Sequence, residues 1–482
     1  MKPLRLAAGA ALSLLLSHAY GEQFYQTKTP YAPQQDSASY EAPPSGYRAV
    51  YTQLLARHGS RGLSSFKTDL ALYNLWQLAA KENALTPLGR ALGPDIEQMM
   101  QANALLGYGV AGISKPGYGN ESMQGVQEHI QLAQRLHARL PELFRDTKTN
   151  ARIAVVTSGK DRAVDSGYFF AQSLVQQQPS LQPLVDSSTD RFLLYFHKLN
   201  AKDDQQVTEA SLAYQRWVKS DELQAREAAI HAQPQLKAAA QATLAQLFTP
   251  AFIAALDAGQ RSASNSGARS YTSADGKFNN TLTGDGKTHI ANVTDAALAL
   301  YELYAAAADL QAELKADFTR YIQPEQARVY AEAEDAVAFY EKGPGSAENG
   351  DTNWRMAAPL LNDFFAEADA AAAGKQTRVA KLRFAHAEIV IPFAAALGLQ
   401  GMSEQLPRAA TYSYQSSAWR GAAVAPMAAN IQWDLYRNGA GRTLVRMLYN
   451  ERESDFKPAC ERAKIAPNSH YYDYQQLKRC YK

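Results

Sequence analysis

The sequence predicts an α/β fold, a sheet-centred α/β domain with helices on both faces and an inserted, mainly helical second domain. Three observations predict it. Short β-rich runs followed by helical patterns recur at 48–106 and 153–174. An Ala-rich helical stretch fills about 201–374, and the strand-then-helix pattern resumes at 379. Strand and helix in alternation suggest a parallel sheet with helices over its faces.

The first residues read as an address. Lys2 and Arg5 precede an apolar run at 6–16, and Ser17-His18-Ala19 offers a small-residue cleavage site, so residues 1–21 are expected to be a signal peptide. Eleven apolar residues are too short to cross a hydrocarbon core of ~30 Å. The mature chain is expected to be exported, periplasmic or secreted, with no membrane attachment. Residues 22–46 are polar and carry four prolines, an extended N-terminal arm.

Residues 48–56 (RAVYTQLLA) then form the first strand. Thr86-Pro87 is a helix start, with Leu88, Leu92, Ile96, Met99 and Leu106 as its apolar stripe. A second strand at 153–156 leads through Thr157-Ser158-Gly159 to a helix that Asp161 can cap, with Val164, Tyr168, Ala171 and Leu174 as its apolar face. The middle reads as helices at 222–247, 293–315 and 323–342, interrupted by a Gly/Ser/Asn-rich stretch at 259–286. That stretch reads as a loop, either lining a site or lying idle at the surface. A strand at 379–385, a helix at 389–397 and β-like runs at 429–436 and 443–449 close the chain. The domain expectation is 47–200 and 375–482 for the α/β domain, with 201–374 inserted.

Composition narrows the function classes. Of 482 residues 46% are hydrophobic and 20% charged, with 29 glycines and 21 prolines, which excludes a collagen-like, disordered or wholly membrane-embedded chain. Forty-nine Lys plus Arg against 47 Asp plus Glu give a net charge of +2, so no nucleic-acid partner is expected and anion recognition must be local. The only cysteines are Cys460 and Cys480. In an oxidising compartment they can close a disulfide; two unpaired buried thiols are the alternative. Two cysteines exclude a CxxC redox site or a cysteine metal cage in this spacing.

Three strand ends carry unusual residues. Arg57-His58-Gly59-Ser60-Arg61 ends the first strand, and two arginines flanking a histidine supply forked donors for a tetrahedral anion. Such neighbours depress the imidazole pKa and keep it neutral and nucleophilic. Lys160-Asp161-Arg162 opens a helix after the second strand, a natural anion position. His386-Ala387-Glu388 follows a late strand, where a carboxylic acid can protonate a leaving group. A basic surface cluster, an ordinary charged helix start and a helix-dipole carboxylate are the respective alternatives. His129 and His137, eight apart with Glu128 beside the first, read as a polar helix face. No GxxxxGK[ST], HExxH or GxSxG occurs.

Taken in order, RHGxR after the first strand, an arginine after a middle strand and HAE after a late one resemble the histidine phosphatases, in the branch of acid phosphatases and phytases. HAE instead of the commoner His-Asp is similar to the multiple inositol polyphosphate phosphatase group. LTPLG at 85–89, TSGKDR at 157–162 and WRMAAPLL at 354–361 match further, and the resemblance runs from about Tyr47 to the C-terminus. It implies His58 as the nucleophile forming a phosphohistidine, with Arg57, Arg61, Arg162 and His386 on the phosphate. Glu388 would be the acid and then the base. No metal or organic cofactor is implied, and the partner is a small phosphorylated substrate. The chain departs from the family at Leu63, where proline is frequent, which bears on loop shape. Lys67 and Lys160 fit contacts to further substrate phosphates and equally fit solvated surface lysines. The expected activity is hydrolysis of inositol polyphosphates such as phytate. The alternatives are a broad-specificity or sugar-phosphate acid phosphatase and an inactive phosphate-binding relative.

Overall fold

The computed structural model describes residues 24–145 and 151–482; the expected signal peptide lies outside the described residues. The strands are β1 (Arg48–Arg57), β2 (Arg152–Thr157), β3 (Val185–Thr189), β4 (Ala263–Thr272), β5 (Asn279–Ile290), β6 (Arg378–Ala385), β7 (Asn430–Arg437), β8 (Thr443–Tyr449), β9 (Arg452–Ser454) and β10 (Tyr471–Asp473). The main sheet runs β10-β8-β7-β1-β6-β2-β3, with β9 paired to β8. From β1 through β6 and β2 to β3 the pairing is parallel. From β1 outward through β7, β8 and β10 it is antiparallel. The sheet is therefore mixed, not parallel throughout as the alternating pattern suggests. The five residues between β7 and β8 can only reverse the chain, whereas a parallel partner needs a long crossover.

Both faces are covered. Leu54 and Ala56 of β1, with Ile153 and Val155 of β2, pack under Leu132, Leu136, Phe170 and Leu174 of helices Met123–Arg139 and Asp161–Gln177. Leu55 and Val156 face the other way, toward Phe364 and Phe393 of helices Ala358–Ala372 and Ala387–Ala396. Alternation along strands buried on both sides explains their near-continuous apolar composition.

Local signals have physical outcomes. Thr86 caps helix Pro87–Ala104, its hydroxyl accepting from Gly89 N at 2.9 Å. Asp161 does not cap: Gly159 at φ +78° turns the chain earlier, Lys160 takes the cap position and Asp161 is the first helical residue. Tyr168 is 44% exposed instead of lying on the buried face. Phe170, two residues on and so on nearly the opposite side of the helix, rests on Phe384 of the sheet with rings 5.4 Å apart.

In the middle of the chain the stretch expected at 222–247 is two helices, Asp221–His231 and Pro234–Ala245, divided where Pro234 starts a new first turn. Helices Val293–Ala307 and Pro324–Glu341 follow. The stretch at 259–286 is not a loop: β4 and β5 form a hairpin, with Ser270 opposite Thr281. It lies on helix Thr68–Lys81, where Asn74 Nδ2 donates to the carbonyls of Ser264 at 2.7 Å and Ser266 at 2.9 Å. Polar residues on both faces leave no alternating pattern to read.

Cys460 and Cys480 are joined in a disulfide, which ties the C-terminal helix Tyr474–Tyr481 to the turn Pro458–Ala463. Replacing both by serine is expected to cost about 3 kcal/mol through regained loop entropy, read as a lower thermal midpoint that reductant no longer changes. Among the described residues no helix is long and apolar enough to cross a membrane.

Candidate active site

Because β1, β6 and β2 are parallel neighbours, their carboxyl ends open on one edge, the usual place for a ligand in such sheets. His58 leaves β1 with its N–H on the Ala385 carbonyl at 3.0 Å, and Ser158 leaves β2 with its N–H on Phe384 O at 3.1 Å. The three chemistry-bearing segments are thus tied to one another through β6. The His58 and His386 rings lie 5.5 Å apart.

His58 is 2% exposed. Its Nδ1 lies 2.9 Å from the Gly59 carbonyl, which can only accept. The proton is therefore on Nδ1, and Nε2 keeps its lone pair. Burial first, then the charges of Arg162, Arg57 and Arg61 and neighbouring His386, push His58 well below the ordinary histidine range. This favours the neutral ring.

Three guanidinium groups surround it. Arg57 is anchored by Nη1 to the carbonyls of Thr27 and, at 2.7 Å, Ala425. Arg61 Nη1 donates to Gly62 O at 2.6 Å. The Nε groups of Arg57, Arg61 and Arg162 are all buried without a protein partner. Burial, reinforced by Arg162, lowers both Arg57 and Arg61 to about 10. Three buried guanidinium groups whose charges act on a neutral imidazole suit a tetrahedral oxyanion.

Glu388 lies in the first turn of helix Ala387–Ala396, its side chain about one-third exposed. Lys342 Nζ lies 3.4 Å from Glu388 Oε1 and 3.3 Å from Glu341 Oε2. Burial alone would raise Glu388, but Lys342 first, then His197 and His386, hold it well below the ordinary carboxylate range. Lys342 thus favours the ionised form of Glu388; the lysine is 46 residues away in sequence and no motif marks it. His386 Nε2 is 2.8 Å from Ser158 Oγ, and its Nδ1 is buried and unpartnered.

The lysines separate. Lys160 is exposed with Nζ 5.2 Å from the Tyr195 ring, and that ring is 5.5 Å from His386, so it stands at the site. Lys67 is exposed, precedes helix Thr68–Lys81 and faces the charge of Asp285 on β5; no contact joins it to His58.

Gly59 is required by close packing. A Cβ on Gly59 would lie 2.5 Å from the Gly125 carbonyl oxygen, and one on Gly125 would lie 2.2 Å from Ser60 O. The loop thus presses on the first turn of helix Met123–Arg139, and this helix and the turn before it supply contacts that no motif marks. Gly59 N donates to Glu121 Oε1 at 2.7 Å, and Ser60 N to Glu128 Oε2 at 2.7 Å. His129, expected on a polar face, is fully buried beside Phe384 and lowered to about 3 by burial.

Leu63 holds the loop in a way proline cannot. Its N–H donates at 2.6 Å to Oδ1 of buried Asn103. Leu63→Pro is expected to cost about 1–3 kcal/mol by stranding that oxygen, visible as a lower urea midpoint.

Fold and site together define a phosphatase of α/β architecture with a histidine at its centre. The chain belongs to the histidine phosphatase superfamily, branch 2, whose family model matches residues 50–450. It is similar to the Bifidobacterium longum multiple inositol polyphosphate phosphatase solved in complex with inositol hexasulfate, at 32% identity and TM-score 0.85, covering 96% of this chain and 98% of that one. The same protein in complex with phosphate matches at 32% identity and TM-score 0.85, covering 95% and 97%. The D. castellii phytase shares the fold at 15% identity and TM-score 0.61, covering 95% and 84%. No curated protein matches.

Proposed function

We propose that this enzyme is exported and hydrolyses inositol polyphosphates through a phosphohistidine on His58. The observation that carries the reading is the bare Nε2 of His58 among three buried guanidinium groups with unpartnered Nε. The likeness at 32% identity to an inositol polyphosphate phosphatase that binds inositol hexasulfate supports the substrate class. In the same reading residues 201–374 are a domain inserted between 47–200 and 375–482.

Arg57, Arg61 and Arg162 bind the phosphoryl oxygens and, with His386, carry the charge that builds on them in transfer. Nε2 of His58 attacks phosphorus while the ester P–O bond breaks. Glu388 gives its proton to the departing alkoxide. Water then attacks the phosphohistidine, its proton passing to the Glu388 carboxylate, and the P–N bond breaks to release inorganic phosphate. The anionic substrate opposes the pull of Lys342 and lifts Glu388 toward the protonated form that the first step needs. Lys160, beside the site, meets a further phosphate of the ring.

Phosphate release from phytate and from p-nitrophenyl phosphate, measured side by side at acidic pH with chelator present, tests this. Turnover of phytate at a kcat/KM at least equal to that of the aryl ester is expected. Turnover of the aryl ester alone would overturn the substrate class, and no turnover of either would overturn the activity.

A further inference from the structure

Behind the His58 loop lie three buried groups that the reaction above does not use. Ser60 Oγ is 2.7 Å from Glu128 Oε1, 2.9 Å from Asp309 Oδ1 and 3.3 Å from the donating amide of Gln124. A hydroxyl has one proton to give and two lone pairs to receive on. Two ionised carboxylates would compete for that single proton and leave one oxygen facing a lone pair. Glu128 has the stronger claim to the charge, since its two oxygens also accept the N–H groups of Ser60 at 2.7 Å and Tyr31 at 3.0 Å. Asp309 has only the Ser60 hydroxyl, and its Oδ2 is buried without a partner. An anion so poorly solvated is far costlier than a neutral acid.

We infer that Asp309 is a neutral carboxylic acid that donates to Ser60, so that Ser60 donates to ionised Glu128, and that this relay positions His58. The link to His58 is one peptide unit. Its N–H, from Ser60, is held by Glu128, and its carbonyl, from Gly59, takes the Nδ1 proton of His58. Across a trans peptide the N–H and C=O point oppositely, so clamping the first aims the second. The relay thereby selects the tautomer that leaves Nε2 bare. Asp309 faces Arg57 and Arg61 from the loop, Glu128 from helix Met123–Arg139 and Tyr25 from the arm; burial first, then Glu128, raises it well above the ordinary carboxylate range despite the two arginines. With Asp309 neutral, one negative charge fewer opposes the arginines in front, which keep their positive charge for substrate.

The inference rests on His58 being the nucleophile, and the test separates the two. Infrared spectra at neutral pH, with and without carbon-13 aspartate, are expected to show a protonated-carboxyl band in the wild-type chain that Asp309→Asn removes. Asp309→Leu is expected to lower kcat on p-nitrophenyl phosphate by about 10–100-fold with KM little changed. Asp309→Asn, whose amide can donate to Ser60, is expected to restore most of that loss. No Asp309-dependent band would overturn the relay even in an active enzyme. Equal losses in the Asn and Leu variants would show that charge at Asp309 is required, and would overturn it too. The band without any ester hydrolysis would keep the neutral acid and overturn the nucleophile.

Discussion

Replacing His58 by alanine is expected to lower kcat by about 10⁴-fold or more on every phosphate ester. The neighbouring histidine, His386, is engaged by Ser158, its Nε2 lying 2.8 Å from the hydroxyl oxygen. The loss is chemical rather than structural, because the bonds that fix this residue to the sheet are made by its backbone, to Ala385 and from Ala428. The side chain contributes one bond, to its own neighbour Gly59. Inorganic phosphate is therefore expected to bind the variant, since all three arginines remain. Acid-labile, base-stable label on protein quenched during turnover of phosphorus-labelled substrate should appear in the wild type and vanish in His58→Ala. Residual kcat above about one per cent, or undiminished label, would remove His58 from the nucleophile's role.

Glu388→Gln is expected to lower kcat on phytate by about 10²–10⁴-fold, the range for a general acid, and on p-nitrophenyl phosphate by less than about tenfold. An inositol alkoxide needs a proton to leave, whereas a nitrophenolate leaves without one. Folding should survive, because Lys342 keeps Glu341 at 3.3 Å. Equal losses on both esters would overturn the role of Glu388. The pH dependence follows from Lys342. Its ammonium favours the ionised carboxylate and holds Glu388 down. Lys342→Met should let Glu388 keep its proton to higher pH, moving the alkaline limb of kcat on phytate upward. On the acid side, His58 lies well below 6.5, so kcat/KM should not fall between pH 6.5 and 5 through protonation of the nucleophile.

Some elements were legible because their signals are local. The first strand, read at 48–56, is observed at Arg48–Arg57, and the strand read at 379–385 at Arg378–Ala385. Thr86-Pro87 starts its helix because a hydroxyl cap and a proline at the first position act within three residues. The hairpin of β4 and β5 was illegible because its stability comes from helix Thr68–Lys81 beneath it, and nothing in a polar, glycine-rich run encodes that partner. For the same reason Tyr168 was misplaced: which side of the helix meets the sheet is decided by Phe384, more than two hundred residues away.

By itself the sequence named the candidate residues for the chemistry and the order in which the chain presents them, since residue type and spacing along a strand end are local properties. Arg57, His58, Arg61, Arg162, His386 and Glu388 are all named by their motifs. Only the tertiary structure decided their ionisation. Lys342 reaches Glu388, and Glu128 and Asp309 reach Ser60, across 46, 68 and 249 residues of chain. Charge and hydrogen bonding act through space in a buried site, so the groups that set a proton's position are those the fold brings near.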